Sequence, residues 1–213
     1  MLAPFLRESD CKMLIVAING SPNPKGNTAF MLRTALEEMA AAGVDGHFMQ
    51  VSELLASAKL PYCGACSNPC GGHCFKGTAL EDAFGLLRRC DGIIMGSPVY
   101  FCTVSAQLKS FWDKTRSLRR DKALINVVGG TLTVAAARFG GQETTLSAMQ
   151  DMMLCQGMLV VGDGFIEDDA GHQGACARQP SNEDQNGITR TRVLTRRVLQ
   201  VARATVELRA HRT

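Results

Sequence analysis

The sequence lacks any apolar run near the ~18 residues that a transmembrane helix needs. Its first residues also lack the basic start and continuous apolar stretch of a signal peptide. A net charge of only +3 is too small to indicate nucleic-acid binding. Internal repeats and low-complexity tracts are absent. We therefore expect a cytoplasmic protein with no membrane or nucleic-acid partner, and 46% hydrophobic content in 213 residues favours one domain with a sizeable core.

Cysteine, by contrast, is abundant and clustered. Four of the 9 cysteines fall within twelve residues, spaced C-x2-C-x3-C-x3-C: Cys63, Cys66, Cys70 and Cys74. Cytoplasmic thiols stay reduced, so this cluster is more typical of a metal or redox site than of disulfides.

Short apolar runs alternate with stretches of helical spacing. The runs, too continuous for half-exposed strands, lie at residues 13–18, 48–51, 93–95, 124–128 and 158–161. The helical stretches lie at residues 30–39, 80–87, 104–115, 144–155 and 188–208. This order predicts an α/β three-layer sandwich with a five-stranded parallel sheet and right-handed crossovers.

Two segments interrupt the alternation. One is the cysteine-rich stretch at about residues 60–77, inserted after strand two, and the other is a long loop at about 162–187. Loops of this length are usually functional. We expect residues 1–12 to form an N-terminal extension and residues 13–213 to form the domain.

In parallel sheets, ligands bind in the loops that follow the strands. The first such loop, residues 19–28, carries hydroxyls at Ser21 and Thr28 and a Gly26-Asn27 turn, and it leads directly into a helix. This context suits a phosphate group. The loop is neither a Walker loop nor a G-x-G-x-x-G turn. The alternative is a surface loop rich in turn-forming residues.

Two further loops extend the pattern. Residues 96–101 end in the aromatic pair Tyr100 and Phe101, which would suit a flat heterocycle or, alternatively, form a hydrophobic plug between helix and sheet. The next predicted loop begins at 129 and offers small residues for close backbone approach, including Gly130, Gly140 and Gly141. An aromatic ligand with one phosphate fits all three loops, and FMN is the candidate we favour.

These motifs carry a family resemblance. INGSP at 18–22 with GNT at 26–28, DGIIMGSPVYF at 91–101 with SAQLK at 105–109, and RFGGQE at 138–143 resemble the NADPH-dependent FMN reductase group of the flavodoxin-like superfamily. The inserted cysteine motif resembles that of one branch, the iron–sulfur flavoproteins. The resemblance implies FMN, a 4Fe-4S cluster, electrons from reduced ferredoxin, and homotetramers in which clusters approach flavins of other subunits.

The resemblance also implies roles for individual residues. The residues that would hold the phosphate are Ser21, Asn23, Gly26, Asn27 and Thr28. The residues that would hold the isoalloxazine ring are Pro98, Val99, Tyr100 and Phe101.

The spacing of the four cysteines can be compared with the patterns that bind zinc and a 4Fe-4S cluster. Structural zinc with four cysteines usually takes two C-x2-C pairs, and this chain has one. A cubane offers four iron corners that one glycine-rich loop can reach, so spacing favours 4Fe-4S over zinc.

We therefore interpret the chain as an FMN-dependent oxidoreductase that passes electrons from a ferredoxin-like donor to a two-electron acceptor, with no side chain assigned as catalytic. The alternatives are an NAD(P)H-dependent quinone or FMN reductase with structural zinc, and a non-catalytic flavin or metal-binding module. Because the cysteine segment is far along the chain from Tyr100 and Gly141, we expect a homo-oligomer.

Overall fold

The computed structural model of the chain describes residues 13–210 and residue 212; the predicted extension at 1–12 lies outside the described residues. The strands are β1 (Leu14–Asn19), β2 (Asp45–Gln50), β3 (Gly92–Pro98), β4 (Val128–Ala135), β5 (Leu159–Val160) and β6 (Ala175–Arg178). They form one parallel sheet in the order β2-β1-β3-β4-β5, and β6 also pairs with β4. The predicted parallel α/β architecture is confirmed.

Helices cover both faces of this sheet. They are α1 (Asn27–Ala41), α2 (Val51–Ala56), α3 (Ala79–Arg89), α4 (Ala106–Asp113), α5 (Arg116–Arg120), α6 (Gln142–Leu154), α7 (Gln185–Ala204) and α8 (Val206–Arg209). Helices α1 and α7 pack on one face, and α2 to α6 pack on the other, so the core has two apolar layers. Over the described residues, every helix is too short or too polar to cross a membrane.

Helix α3 begins with two side chains that accept backbone N–H groups. The Thr78 hydroxyl accepts the N–H of Leu80 at 3.3 Å. The Glu81 carboxylate accepts the N–H of Gly77 at 2.7 Å rather than that of Thr78, because the Thr78 N–H already donates to the Phe75 carbonyl. Both side chains therefore satisfy backbone donors at the helix start.

The fourth strand was placed wrongly by the sequence pattern. It runs from Val128 to Ala135 rather than over 124–128, and all eight of its residues are buried. Gly130 therefore lies inside the sheet and not in a ligand-binding loop. A Cβ on Gly130 would lie 2.7 Å from Val198 of α7, so the absence of a side chain at this position allows α7 to pack close to β4. We remove Gly130 from the candidate cofactor site.

The fifth position of the sheet is split between two short strands. β5 pairs with β4 at Val128 and Gly129, whereas β6 pairs with the same strand from Leu132 to Ala135. The predicted loop at 162–187 is thus too long, because it contains β6 and the start of α7. The irregular part between the two strands is residues 161–174.

Candidate functional site

The carboxyl ends of β1 and β3 are fastened together at one edge of the sheet. The N–H of Gly20 donates to the carbonyl of Gly96 at 2.8 Å. The Ser105 hydroxyl donates to the Gly20 carbonyl at 2.5 Å, while the Ser105 N–H donates to the Ser97 hydroxyl at 3.1 Å. The loops after these two strands therefore hold a fixed relative position, and the two serines that fix it lie within the quoted motifs.

The first loop satisfies its own backbone donors. Three side-chain oxygens each accept the N–H of the residue two positions ahead: Asn19 from Ser21 at 3.1 Å, Ser21 from Asn23 at 3.1 Å, and Asn23 from Lys25 at 3.0 Å. Such turns are what Asn and Ser form readily. They bring the chain around in a tight arc to Gly26, whose Cβ position would lie 3.2 Å from the Asn23 side chain.

Helix α1 begins at the end of this arc without a side-chain cap. Gly26 is its N-cap, in extended conformation. Within the described chain, the N–H groups of Asn27, Thr28 and Ala29 have no acceptor. Three aligned donors at the positive end of a 15-residue helix are suited to binding an anion.

Two hydroxyls border these donors. Ser21 is 6% exposed and Thr28 is 2% exposed. The Ser21 oxygen accepts a hydrogen bond from the N–H of Asn23. The O–H groups of Ser21 and Thr28 have no acceptor among the described residues. The structure therefore brings together Ser21, Gly26, Asn27 and Thr28 at one point, with Asn23 supporting them from the loop.

Ser181 is a member of the site that the sequence did not reveal. Its N–H donates to the Asn27 side-chain oxygen at 2.9 Å, and its hydroxyl donates to the Asn27 carbonyl at 3.1 Å. These contacts orient the Asn27 amide and leave its NH₂ group as a free donor. Ser181 follows β6, and no motif marks it, because its role depends on a contact between residues 154 positions apart.

The aromatic loop after β3 turns back sharply on itself. Tyr100 and Thr103 exchange backbone hydrogen bonds at 2.9 and 3.1 Å, and the two residues between them, Phe101 and Cys102, have φ of +49° and +61°. Positive φ at both central positions defines a tight hairpin turn that normally prefers Gly or Asn. The Phe101 side chain is fully exposed and Tyr100 is 45% exposed. The alternative of a hydrophobic plug is therefore wrong.

The loop after β4 lies directly against this turn. Gly141 has φ of +90°, and a Cβ on it would lie 2.7 Å from the Cys102 sulfur. The Thr144 hydroxyl donates to the Cys102 carbonyl at 2.8 Å. Gly140 donates its N–H to the Gln142 side chain at 2.8 Å, which closes the loop on itself. Gly140 and Gly141 thus stand at the same sheet edge as the aromatic pair.

Phe139 adds a third exposed aromatic ring to this edge. Its side chain is 97% exposed, on the loop next to Phe101. Large aromatic rings that point into solvent beside an anion site indicate a surface for a flat ligand. Pro98 and Val99, partly exposed at the end of β3, join this surface. The donors at α1 suit the chemistry of a phosphate, and the exposed rings suit a flat heterocycle such as that of FMN.

The four clustered cysteines lie in a segment without regular secondary structure. Cys63 and Cys70 are partly buried, whereas Cys66 and Cys74 are exposed. The N–H of Ala65 donates to the Cys63 sulfur at 3.5 Å. The described residues contain no group of three or more His, Cys, Asp or Glu side chains placed to hold a metal ion. The four thiols therefore lie in one segment but do not converge on a common point.

Several backbone N–H groups of this segment can donate further hydrogen bonds. In the described chain, the N–H groups of Cys66, Cys70, His73 and Cys74 have no acceptor. Free N–H groups beside thiolates suit an iron–sulfur cluster, whose sulfides accept hydrogen bonds. The donor set, four thiols with flexible glycines between them, therefore fits a cluster chemically.

Three contacts hold the segment to the domain. The Phe75 and Phe84 rings meet edge to face at 4.8 Å. Arg120 donates to the Cys70 carbonyl. Arg120 is itself held by Asp121, and Asp121 also binds Arg88 at 2.6 Å. The Arg120 hydrogen bond, and then that of Arg88, lowers the pKa of Asp121 to about 2.

Cys63 and Cys70 lie away from the sheet edge that carries the loops after β1, β3 and β4, which are called the flavin loops below. Cys63 lines a cleft of about 360 Å³ together with Trp112, Met152 and Cys155, near the C-terminal ends of α4 and α6. The N-terminal ends of these helices meet the flavin loops. Helix α6 has 13 residues and is ~20 Å long. One chain therefore keeps its two candidate redox sites well apart.

Two other thiols are unsuited to metal binding. Burial raises the pKa of Cys90 to about 12 and that of Cys176 to about 12. Because the thiolate is the metal ligand and the nucleophile, both residues act as packed apolar groups at neutral pH.

Comparison with known proteins assigns the chain to a family. The family model described as NADPH-dependent FMN reductase matches residues 13–173. An iron–sulfur flavoprotein of Methanocaldococcus jannaschii is 38% identical over 197 residues, covering 90% of this chain and 98% of that protein. One from Methanosarcina thermophila is 35% identical over 178 residues, covering 83% of this chain and 88% of that protein.

A solved structure supports the fold. The WrbA-like flavodoxin of Agrobacterium tumefaciens has a TM-score of 0.65 at 20% identity, covering 91% of this chain and 99% of that one. The predicted flavodoxin-like fold and the predicted FMN-dependent oxidoreductase class are confirmed. The chain belongs to the NADPH-dependent FMN reductase family, in its iron–sulfur flavoprotein branch.

Proposed function

We propose that this oxidoreductase holds FMN at the edge formed by the three loops and a 4Fe-4S cluster on Cys63, Cys66, Cys70 and Cys74. When bound, FMN supplies one- and two-electron chemistry and the cluster supplies one-electron chemistry. The pair would connect a ferredoxin-like one-electron donor with a two-electron acceptor in the cytoplasm. The protein's part is to bind, orient and separate the two centres.

The observation that carries the flavin half is the uncapped start of α1. Its three N–H groups, which have no acceptor among the described residues, and the hydroxyls of Ser21 and Thr28 would neutralise a phosphate dianion by hydrogen bonds and the helix dipole. The exposed rings of Tyr100, Phe101 and Phe139 would cover one part of the isoalloxazine and keep water from it.

The cluster half is supported by the chemistry of the cysteine segment. Residues 57–77 contain no carboxylate, so the thiols compete with no oxygen ligand of a harder metal. The free backbone donors between the cysteines can stabilise the charge on cluster sulfides. The names of the two archaeal relatives describe proteins with an iron–sulfur centre, which agrees with this assignment.

The distance between the two sites supports an oligomer. The flavin loops and the cysteine segment stand at opposite ends of helices α4 and α6, so each chain would rely on a neighbour to bring a cluster near its flavin. The family resemblance suggests a homotetramer. Sedimentation of the holoprotein tests this, and a monomer that still reduces its own flavin through the cluster would contradict it.

The test of the function is one spectrum and one extraction from anaerobically purified protein. Flavin bands with a broad shoulder near ~400 nm are expected for both cofactors. Chromatography of the released flavin should give FMN, since the site has one phosphate cradle. Flavin bands alone, with one zinc per chain, would instead favour an NAD(P)H-dependent quinone or FMN reductase. Recovery of mainly FAD would contradict the single-phosphate site.

A further inference from the structure

A basic surface borders the cysteine segment, away from the flavin loops. We call it the basic face, and its members are Arg88, Arg116, Arg119 and Arg120. Arg120 contacts the Cys70 carbonyl, and Arg116 and Arg119 line the same cleft as Cys63. Positive charge is thus concentrated directly beside two of the proposed cluster ligands.

The positive charge of this face is only partly neutralised. Asp121 is shared between Arg88 and Arg120, each at 2.6 Å. Over the described residues, Arg116 and Arg119 have no carboxylate within ion-pair distance.

Nearby side chains do not reverse this balance. Asp113 also lines the cleft, but it is paired with Lys109 at 2.6 Å. Residues 57–77 add Lys59 and Lys76 and no acidic residue. Positive charge therefore predominates on the cleft rim beside Cys63 and Cys70.

The cleft beneath these arginines also has a buried amide among its lining residues. Gln156 lines it and is only 9% exposed, and its side-chain carbonyl oxygen is buried without a donor in the described chain. Its NH₂ group already donates to the Thr115 hydroxyl at 2.7 Å. An amide oxygen only accepts hydrogen bonds, so the arginines, and not Gln156, would pair with carboxylates of a partner.

We propose that the basic face is the docking surface for an acidic one-electron carrier protein. This rests on the proposed iron–sulfur site, which the face adjoins at Cys63 and Cys70. In the transfer, the reduced carrier loses one electron and the iron–sulfur site gains it, and no bond forms or breaks. Carboxylates of the carrier would pair with Arg116 and Arg119 and bring its redox centre against the cysteine segment.

A second copy of this chain fits the face less well. The densest acidic stretch of the chain is residues 167–169, but Asp169 is paired with Arg190 at 3.0 Å and Asp168 with Arg196 at 3.4 Å. Those carboxylates are engaged within their own chain. A separate carrier with free surface carboxylates therefore has the better charge complementarity.

The experiment measures binding without turnover. Isothermal titration of an acidic, oxidised ferredoxin into the holoprotein is done at low and high salt for wild type and for Arg116→Gln/Arg119→Gln. We expect the double variant to bind at least about tenfold more weakly at low salt and to lose most of the salt dependence. The matched control is Arg192→Gln/Arg197→Gln on α7, which removes the same charge elsewhere and should change affinity less than about twofold.

Further measurements distinguish a failure of the docking proposal from a failure of the proposed function. All three proteins should hold equal iron and FMN, and reduction by the small cation methyl viologen should not slow in the α5 variant. If wild type holds no iron, the iron–sulfur site fails and docking fails with it. If iron is present and the α5 variant binds ferredoxin like wild type, only the docking proposal is overturned. A change of oligomeric state in the α5 variant would likewise overturn it, by making the face a contact between copies.

Discussion

Gly141 lies so close to Cys102 that a Cβ on the glycine would stand 2.7 Å from the cysteine sulfur. This contact joins the loop after β4 to the aromatic turn after β3, and Gly141 also needs its positive φ of +90° to begin α6. The shape of the flavin edge therefore depends on a position without a side chain.

The first prediction follows from this contact. Gly141→Ala should push the aromatic turn away and weaken FMN binding by about tenfold or more, since both φ strain and a steric clash act there. Gly43→Ala is the matched control, because Gly43 has φ of +69° with nothing within 4 Å of its Cβ position. Fluorescence titration of the apoprotein should show a loss for Gly141→Ala alone. Equal FMN affinities in the two variants would count against the joined loops.

The second prediction concerns the phosphate. Ser21→Ala combined with Thr28→Val removes two hydroxyl donors, each worth about 1.5–3 kcal/mol to a charged group, so FMN should bind at least about tenfold more weakly. Riboflavin, which lacks the phosphate, should bind almost as before. Thr34→Ala, a hydroxyl loss in the same helix at a site bonded to the Phe30 carbonyl, is the control. A similar loss for riboflavin would refute the phosphate assignment.

The third prediction concerns the hold of Arg120 on the Cys70 carbonyl. Arg120→Gln should loosen the segment, so that iron is lost to a chelator about three to ten times faster. Arg119→Gln, one position earlier, changes a side chain that makes no hydrogen bond to the segment in the described chain, and it should lose iron at the wild-type rate. Identical rates in both variants would show that this contact does not stabilise the cluster site.

The fourth prediction is a pH dependence. Asp121 has its pKa lowered to about 2 from an ordinary value of 3.8, so its ion pairs stabilise the fold above pH ~4 and are lost as the pH falls toward 2. The pairs are partly exposed, so Asp121→Asn should lower the free energy of unfolding by about 1 kcal/mol at pH 6. The difference between the two metal-free proteins should shrink as the pH falls from 4 through 2 and vanish below pH 2. A constant difference from pH 6 to pH 2 would contradict the role of this carboxylate.

The alternation of the longer strands and helices and the loops after β1 and β3 could be predicted from the sequence, because apolar runs and turn-forming residues are local signals. The short helices α2 and α5 were not predicted. The sequence pattern misplaced β4, because Gly129, Gly130 and two threonines interrupt the apolar run there. In the structure, Met153 and Val198 fill the space beside the two glycines. The pattern also missed the split of the fifth strand, since β5 and β6 gain strand geometry only by pairing with β4.

The candidate site likewise has residues that could be predicted from the sequence and residues that could not. Ser21, Thr28 and the aromatic pair follow strands directly, so their common edge could be predicted. Ser181 could not, because its contact with Asn27 joins distant parts of the chain. The position of the cysteine segment beside α5 likewise depends on contacts of Phe75 and Arg120 that spacing does not encode.

The most direct test of the account is metal content in single Cys→Ser variants. Anaerobically purified wild-type protein should contain about four irons and one FMN per chain. Serine at Cys63, Cys66, Cys70 or Cys74 should remove or destabilise the iron and leave FMN bound, because the flavin loops stand away from Cys63 and Cys70. Cys155→Ser, in the same cleft as Cys63 but outside the motif, should keep its iron. One zinc and no iron per chain, even after reconstitution with iron and sulfide, would contradict the central claim.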